Sequence, residues 1–256
     1  MNKKNILGDG NTGINPNRKY LVCSYSTFDA RLSHAAKEFA QKYNDAANKN
    51  DKPNALAYKK AIQKLVGQKM LETPDAIFEY IRTLRANIMN TILGSDLLMQ
   101  FAVQFKKLTP EEKKSFMAVL DKNLSKMYGM NHSDIFYMPN DKNSDALYAP
   151  TSENSGERSS IAVRKEIKTL EECMSVFSHE YSHKITFENP NASPLGAQAA
   201  NLAHKFYIFN NEDGAGYMEN ADEALSYAVQ TMVAKDFEKD FLASVAMREQ
   251  AKQYNK

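Results

Sequence analysis

Residues 169–190, TLEECMSVFSHEYSHKITFENP, constrain this chain more than any other stretch. Thr169 followed by Glu172 has the form of a capping box, and Asn189-Pro190 supplies a stop, so a helix is expected between them. Leu170, Cys173, Met174, Phe177, Tyr181 and Ile185 form an apolar stripe that can bury it. Within the helix, His179 and His183 lie four residues apart, on one face one turn up, so both imidazoles can reach a single metal ion. Glu180 sits about 100° round from His179, where a carboxylate can lean toward a water on that metal and take its proton. The stretch therefore predicts two ligands of a zinc site and a general base.

A chain of 256 residues can bury a sizeable core, as one domain or as a catalytic domain with a helical companion. Charged residues make up 25%, and the apolar runs fall far short of the ~18 residues needed to span a bilayer. The N-terminus, MNKKNILGDGNTGINPNRKY, offers only Ile6-Leu7 as an apolar centre, so no secretory signal peptide is expected. A formal net charge of +2 argues against a nucleic-acid or membrane surface as the principal partner. Cys23 and Cys173 have no C-x-x-C spacing and are too few for a disulfide framework, which fits a reducing compartment. Cys173 precedes His179 by nearly two turns and reads as core packing.

Residues 1–18 are rich in Asn, Gly and Lys without periodicity and read as a polar leader. Tyr20 to Cys23 has the pattern of a short strand. From Thr27, Leu32, Ala36, Phe39 and Tyr43 repeat at helical spacing; a second helix follows Pro53, and Thr73-Pro74 caps a third that ends at Gly94-Ser95. Leu97 to Phe105 and a segment opened by Thr109-Pro110-Glu111-Glu112 complete a helical region over 19–129. Short β-like pieces follow at Asp134 to Met138, Ala146 to Ala149 and Ser160 to Arg164. The last, within SIAVRK, is expected to be an edge strand, either an ordinary one or one that pairs with an extended peptide substrate. Ser193-Pro194 is expected to start a helix, Asn210 to Gly216 a turn, Asn220 another helix, and a Lys/Glu-rich helix runs from about Lys235. The fold class is α+β, mostly helical, with a small sheet before the His helix. The chain divides into 19–129 and 130–256, or forms one continuous domain over 19–256.

A hydrolytic zinc site needs three protein ligands and an open position. Thr186 and Asn189 exclude a third histidine in the extended pattern. The remaining source is a carboxylate in YMENADEALSYAVQTM, which holds Glu219, Asp222 and Glu223. Glu223 opens a helix whose stripe of Leu225, Ala228, Val229, Met232 and Val233 can pack on the His helix, which favours it over Glu219. The competing role for Glu223 is local, as the third helical residue after an Asn220 cap. His204 is expected to be a structural histidine.

HEYSH followed forty residues later by EALSYAV resembles the zinc metallopeptidases whose third ligand is a glutamate. Among them it is most similar to bacterial toxin and injected-effector peptidases, such as the anthrax lethal factor catalytic domain, over roughly residues 130–235. The resemblance implies a zincin-like catalytic region, zinc bound by His179, His183 and Glu223, and a water activated by Glu180. It also implies a tyrosine near the third ligand that stabilises the oxyanion, either Tyr217 or Tyr227. It implies a protein or peptide substrate, a secretion chaperone as partner, and passage from a bacterial cytoplasm into another cell by a dedicated apparatus. The alternatives are a resident cytoplasmic metallopeptidase that cuts a regulator, and a binding module in which zinc only locks two helices. Glu180 discriminates against the last, because a purely structural site has no need of it.

Overall fold

Polar punctuation sets most of the element boundaries. The computed structural model describes residues 34–139, 146–150, 158–209 and 211–254, without the side chains of residues 252 and 254. The polar leader, the strand expected at Tyr20 to Cys23 and the helix start expected at Thr27 lie outside these residues. The described chain opens in helix α1 (34–48) and continues through α2 (Lys52–Glu72), α3 (Pro74–Leu93), α4 (Asp96–Val103), a 3-10 turn (Phe105–Lys107) and α5 (Pro110–Met127). Strands β1 (Asp134–Tyr137), β2 (Ala146–Ala149) and β3 (Ser160–Val163) precede α6 (Leu170–Glu188). Then come α7 (Gly196–Lys205), the single turn α8 (Gly214–Tyr217), α9 (Ala221–Ala234) and α10 (Phe237–Tyr254). The described residues are thus mostly helical, with one three-stranded sheet.

Capping boxes at Thr109/Glu112 and Thr169/Glu172 start α5 and α6 as their sequences require. Thr73 departs from expectation. It precedes Pro74, yet its hydroxyl donates back to the Lys69 carbonyl at 3.0 Å and closes α2 instead of capping α3. The helix expected from Ser193-Pro194 begins two residues later; the Ser193 hydroxyl accepts the Leu195 N–H at 3.3 Å in a turn, and α7 starts at Gly196, whose φ of +73° suits glycine.

The sheet corrects the expectation for SIAVRK. Strand order is β1-β3-β2, with β3 parallel to β1 and antiparallel to β2, so both of its hydrogen-bonding edges are taken. Ile161 and Val163 are both fully buried, and the most buried strand occupies the centre. An extended peptide cannot add to β3; the edge strand toward α6 is β2.

One cluster of buried side chains runs from Val66 to Phe241 and crosses residue 129, drawing on helices α2 to α7, α9 and α10 and on the inner face of the sheet. Every residue of α6 from Val176 to Thr186 is buried. The helix is therefore enclosed on its polar side as well as along its apolar stripe, and each buried polar group there requires a partner. Lys184 Nζ, with its residue fully buried, meets Asp121 Oδ1 and Ser125 Oγ at 2.8 Å each. Ser182 Oγ lies 3.4 Å from the Tyr80 hydroxyl, and the Thr186 hydroxyl donates to Ser193 Oγ at 3.2 Å. No helix among the described residues is long and apolar enough to cross a membrane.

Candidate metal centre

Helices α6 and α9 pack side by side and bring the candidate ligands together. From α6, the Nε2 atoms of His179 and His183 approach to 3.1 Å. From the first turn of α9, Glu223 places Oε2 at 3.5 Å from His179 Nε2 and Oε1 at 3.4 Å from His183 Nε2. One ligand atom from each residue lies within 4.8 Å of the others, and all three residues are buried. Two imidazole nitrogens and a carboxylate aimed at one point form a donor set that can hold a metal ion. Glu223 Oε2 is buried with no hydrogen-bond partner, an arrangement that is costly for a carboxylate oxygen and that a cation would relieve.

The neighbours of the ligands fix their orientation. Asp222 Oδ2 lies 2.7 Å from His183 Nδ1, and Ser226 Oγ lies 3.3 Å from the same nitrogen. A carboxylate on the far nitrogen of a ligating histidine sets its tautomer and ring plane. The Tyr207 hydroxyl donates to Glu223 Oε1, as does the Tyr217 hydroxyl at 2.8 Å. The Tyr227 ring packs across His179 with centroids 4.7 Å apart at 70°.

Charge follows from this geometry. Burial alone would raise the Glu223 carboxyl, but the imidazoles of His179 and His183 and the Tyr207 hydroxyl hold it well below the usual carboxylate range, so it stays ionised. Burial and the Glu223 charge push the Tyr207 and Tyr217 phenols up, so both remain hydrogen-bond donors. Burial raises the Glu180 carboxyl against the pull of both imidazoles and of the Tyr148 backbone N–H.

Each residue expected from the sequence has a definite place. His179, His183 and Glu223 form the cluster, and Glu180 is buried beside it. Glu219 is exposed and away from the cluster. Asn220 makes no side-chain cap for α9. Its amide instead clamps Ile208, accepting from the N–H at 3.0 Å and donating to the carbonyl at 2.9 Å, while Glu223 turns toward the imidazoles. Tyr217 touches the ligand set and Tyr227 flanks it. Cys173 is fully buried, its thiol pushed up by burial. His204 meets the Phe187 ring edge to face, with centroids 4.4 Å apart, and burial holds it below the ordinary imidazole range.

Asp222, a candidate ligand from sequence, instead lies behind His183, and Ser226 and Tyr207 carried no assignment; the spacing of four between Asp222 and Ser226 puts both on one face of α9, a signal the sequence holds. Tyr207 lies in the irregular segment after α7, sixteen residues before Glu223, where no periodicity marks it.

No protein-family model matches this chain, and no curated protein and no solved structure matches it.

Proposed function

We propose that this chain is a zinc-dependent endopeptidase of the glutamate-ligand class, with a zincin-like catalytic region over 130–256. The observation that carries the reading is the convergence of His179, His183 and Glu223 with Glu180 buried beside them. Zinc held by the three ligands would supply a Lewis acid that polarises the scissile carbonyl and acidifies water. Glu180 accepts a proton from the attacking water as the C–O bond forms and the carbonyl oxygen gains charge, then delivers it to the leaving amine as the carbonyl re-forms and the C–N bond breaks. Its raised affinity for protons suits a group that must accept one and release it in the same cycle. Tyr217, already at the ligand set, donates to the oxygen that gains charge. The substrate is a protein, and the likeness of HEYSH and EALSYAV to toxin and effector peptidases supports a bacterial product delivered into another cell.

The same two-His, one-carboxylate donor set serves iron in oxygenases. The H-E-x-x-H spacing, which seats a carboxylate beside the ligands, favours hydrolysis. Metal analysis of the purified chain, followed by mass spectrometry of proteins cut in a cell lysate, tests the proposal. Zinc bound one to one, with Glu180→Gln retaining zinc and losing cleavage, is the expected result. Iron in place of zinc, or equal cleavage by Glu180→Gln, would overturn it.

A further inference from the structure

We propose that Tyr207 is a positioning residue that makes Glu223 a ligand, by anchoring Oε1 so that the carboxylate is held against the imidazoles of His179 and His183; this rests on the metal-peptidase reading above. A carboxylate oxygen offers about two lone-pair sites. Oε1 of Glu223 accepts both the Tyr207 and the Tyr217 hydroxyls, which fill them. Oε2 is buried, lacks any hydrogen-bond partner, and faces Nε2 of His179 at 3.5 Å. Oε1 also lies 3.4 Å from His183 Nε2, so the anchored carboxylate faces both imidazoles.

The two phenols are not equivalent. Tyr207 is fixed along its backbone: its N–H donates to the His204 carbonyl at 3.2 Å, and its carbonyl accepts Lys59 Nζ at 3.1 Å. Lys59 is itself held by Glu212 at 2.8 Å, and the next residue, Ile208, is clamped from both sides by Asn220. Tyr217 ends the single turn α8 and is held as well, its N–H donating to the Asp213 carbonyl at 2.9 Å and its carbonyl accepting the Asn220 amide at 2.9 Å, so what separates the two tyrosines is the step assigned to Tyr217. If Tyr217 serves the reacting oxygen, its hydroxyl must turn from Glu223 during turnover, and Tyr207 is then the donor that keeps the carboxylate in place. Helix α2 enters the chemistry here, since Lys59 carries the backbone of Tyr207.

The test compares the unaltered chain with Tyr207→Phe and Tyr217→Phe. Zinc dissociation constants come from chelator competition, the absorption of the cobalt-loaded forms reports the ligand set, and melting of the metal-free forms reports the fold. Tyr207→Phe should bind zinc about 10- to 100-fold more weakly with an altered cobalt spectrum, while its metal-free melting temperature stays close to that of the parent. Tyr217→Phe should lose kcat with a smaller loss of zinc affinity. Unchanged zinc affinity and cobalt spectrum in Tyr207→Phe, or a greater affinity loss in Tyr217→Phe, would overturn the proposal and leave the peptidase reading standing. Failure of the unaltered chain to bind zinc would remove both. If Tyr207→Phe lowers the metal-free melting temperature, Lys59→Met decides: weaker zinc binding supports the anchor, and unchanged binding overturns it.

Discussion

Asp222 Oδ2 lies 2.7 Å from His183 Nδ1, so the residue that orients one ligand is the chain neighbour of another. The first turn of α9 thus both offers a candidate ligand, Glu223, and holds a candidate ligand of α6 through Asp222. Replacing Asp222 by Ala should weaken metal binding about 10- to 100-fold, because the imidazole loses its tautomer and its orientation together. Chelator competition measures this, and an affinity equal to that of the parent would show that Ser226, at 3.3 Å from the same nitrogen, suffices.

Tyr217 and Tyr227 make separable predictions. The Tyr217 hydroxyl reaches the ligand carboxylate, whereas Tyr227 presents its ring to His179. Loss of an oxyanion donor costs about 10²- to 10³-fold in kcat. Tyr217→Phe should show a fall of that order with little change in KM, and a larger fall in Tyr227→Phe would transfer the role.

Much of the fold was legible because it depends on local rules. Thr109 and Thr169, each followed three residues on by Glu, start α5 and α6, and the apolar stripe of α6 faces the core. The strands were legible as pieces, but not their order, because a strand of four residues does not say which neighbours take its two edges; β3 became central through its paired burial of Ile161 and Val163. At the site, the two histidines and Glu180 follow from helical spacing alone. Glu223 required a judgement about how two helices pack, and Asn220 spends its amide on Ile208 where local rules predict a cap. Tyr207 was not legible at all, since its hydroxyl reaches Glu223 only through the path of an irregular segment held by α2.

The buried pair of Lys184 and Asp121 predicts strong dependence on both partners. Each residue is fully buried, and Asp121 Oδ2 also accepts the Ser133 N–H at 2.7 Å at the entry to the sheet. Removing one partner leaves a buried charge and costs about 3–5 kcal/mol, while apolar replacement of both is far less costly. Lys184→Met alone should therefore be much less stable in urea than Lys184→Met with Asp121→Leu. A double variant less stable than the single would mean that the Ser133 bond outweighs the ion pair.

Metal retention should weaken in acid. Burial disfavours charge on His183, yet Asp222 and Glu223 outweigh it and hold this imidazole well above its ordinary range. Protons and metal compete for the ring, so affinity must fall as pH drops through that raised value. The same shift stabilises the metal-free fold below the unfolded-state value, and this contribution is lost as pH rises through the folded one. The melting-temperature gap between metal-loaded and chelated protein should therefore narrow toward acid pH. Bound metal at about a thousandfold excess over its dissociation constant is worth about 4 kcal/mol, a gap that thermal melting resolves readily. A gap that stays constant across the acid range would mean that His183 does not exchange its proton for the metal.

Gln63 of α2 connects the helical first half to the centre. Its Nε2 donates to the carbonyls of Ala203 at 2.8 Å and Phe206 at 3.0 Å, and its Oε1 accepts the N–H of Ala221 at 3.2 Å. One buried amide thus ties the end of α7, next to Tyr207, to the start of α9, next to Asp222 and Glu223. Gln63→Leu keeps the apolar volume but leaves buried backbone groups unpaired, each costing about 1–3 kcal/mol unless the backbone shifts to satisfy them. A shift of that kind would move Tyr207 and Glu223 relative to each other. Gln63→Leu should accordingly lose zinc affinity as well as stability, although it touches none of the ligands. Urea unfolding with chelator competition on the same preparations distinguishes the outcomes: loss of stability with unchanged zinc affinity would show that α2 supports the fold without setting the geometry of the centre.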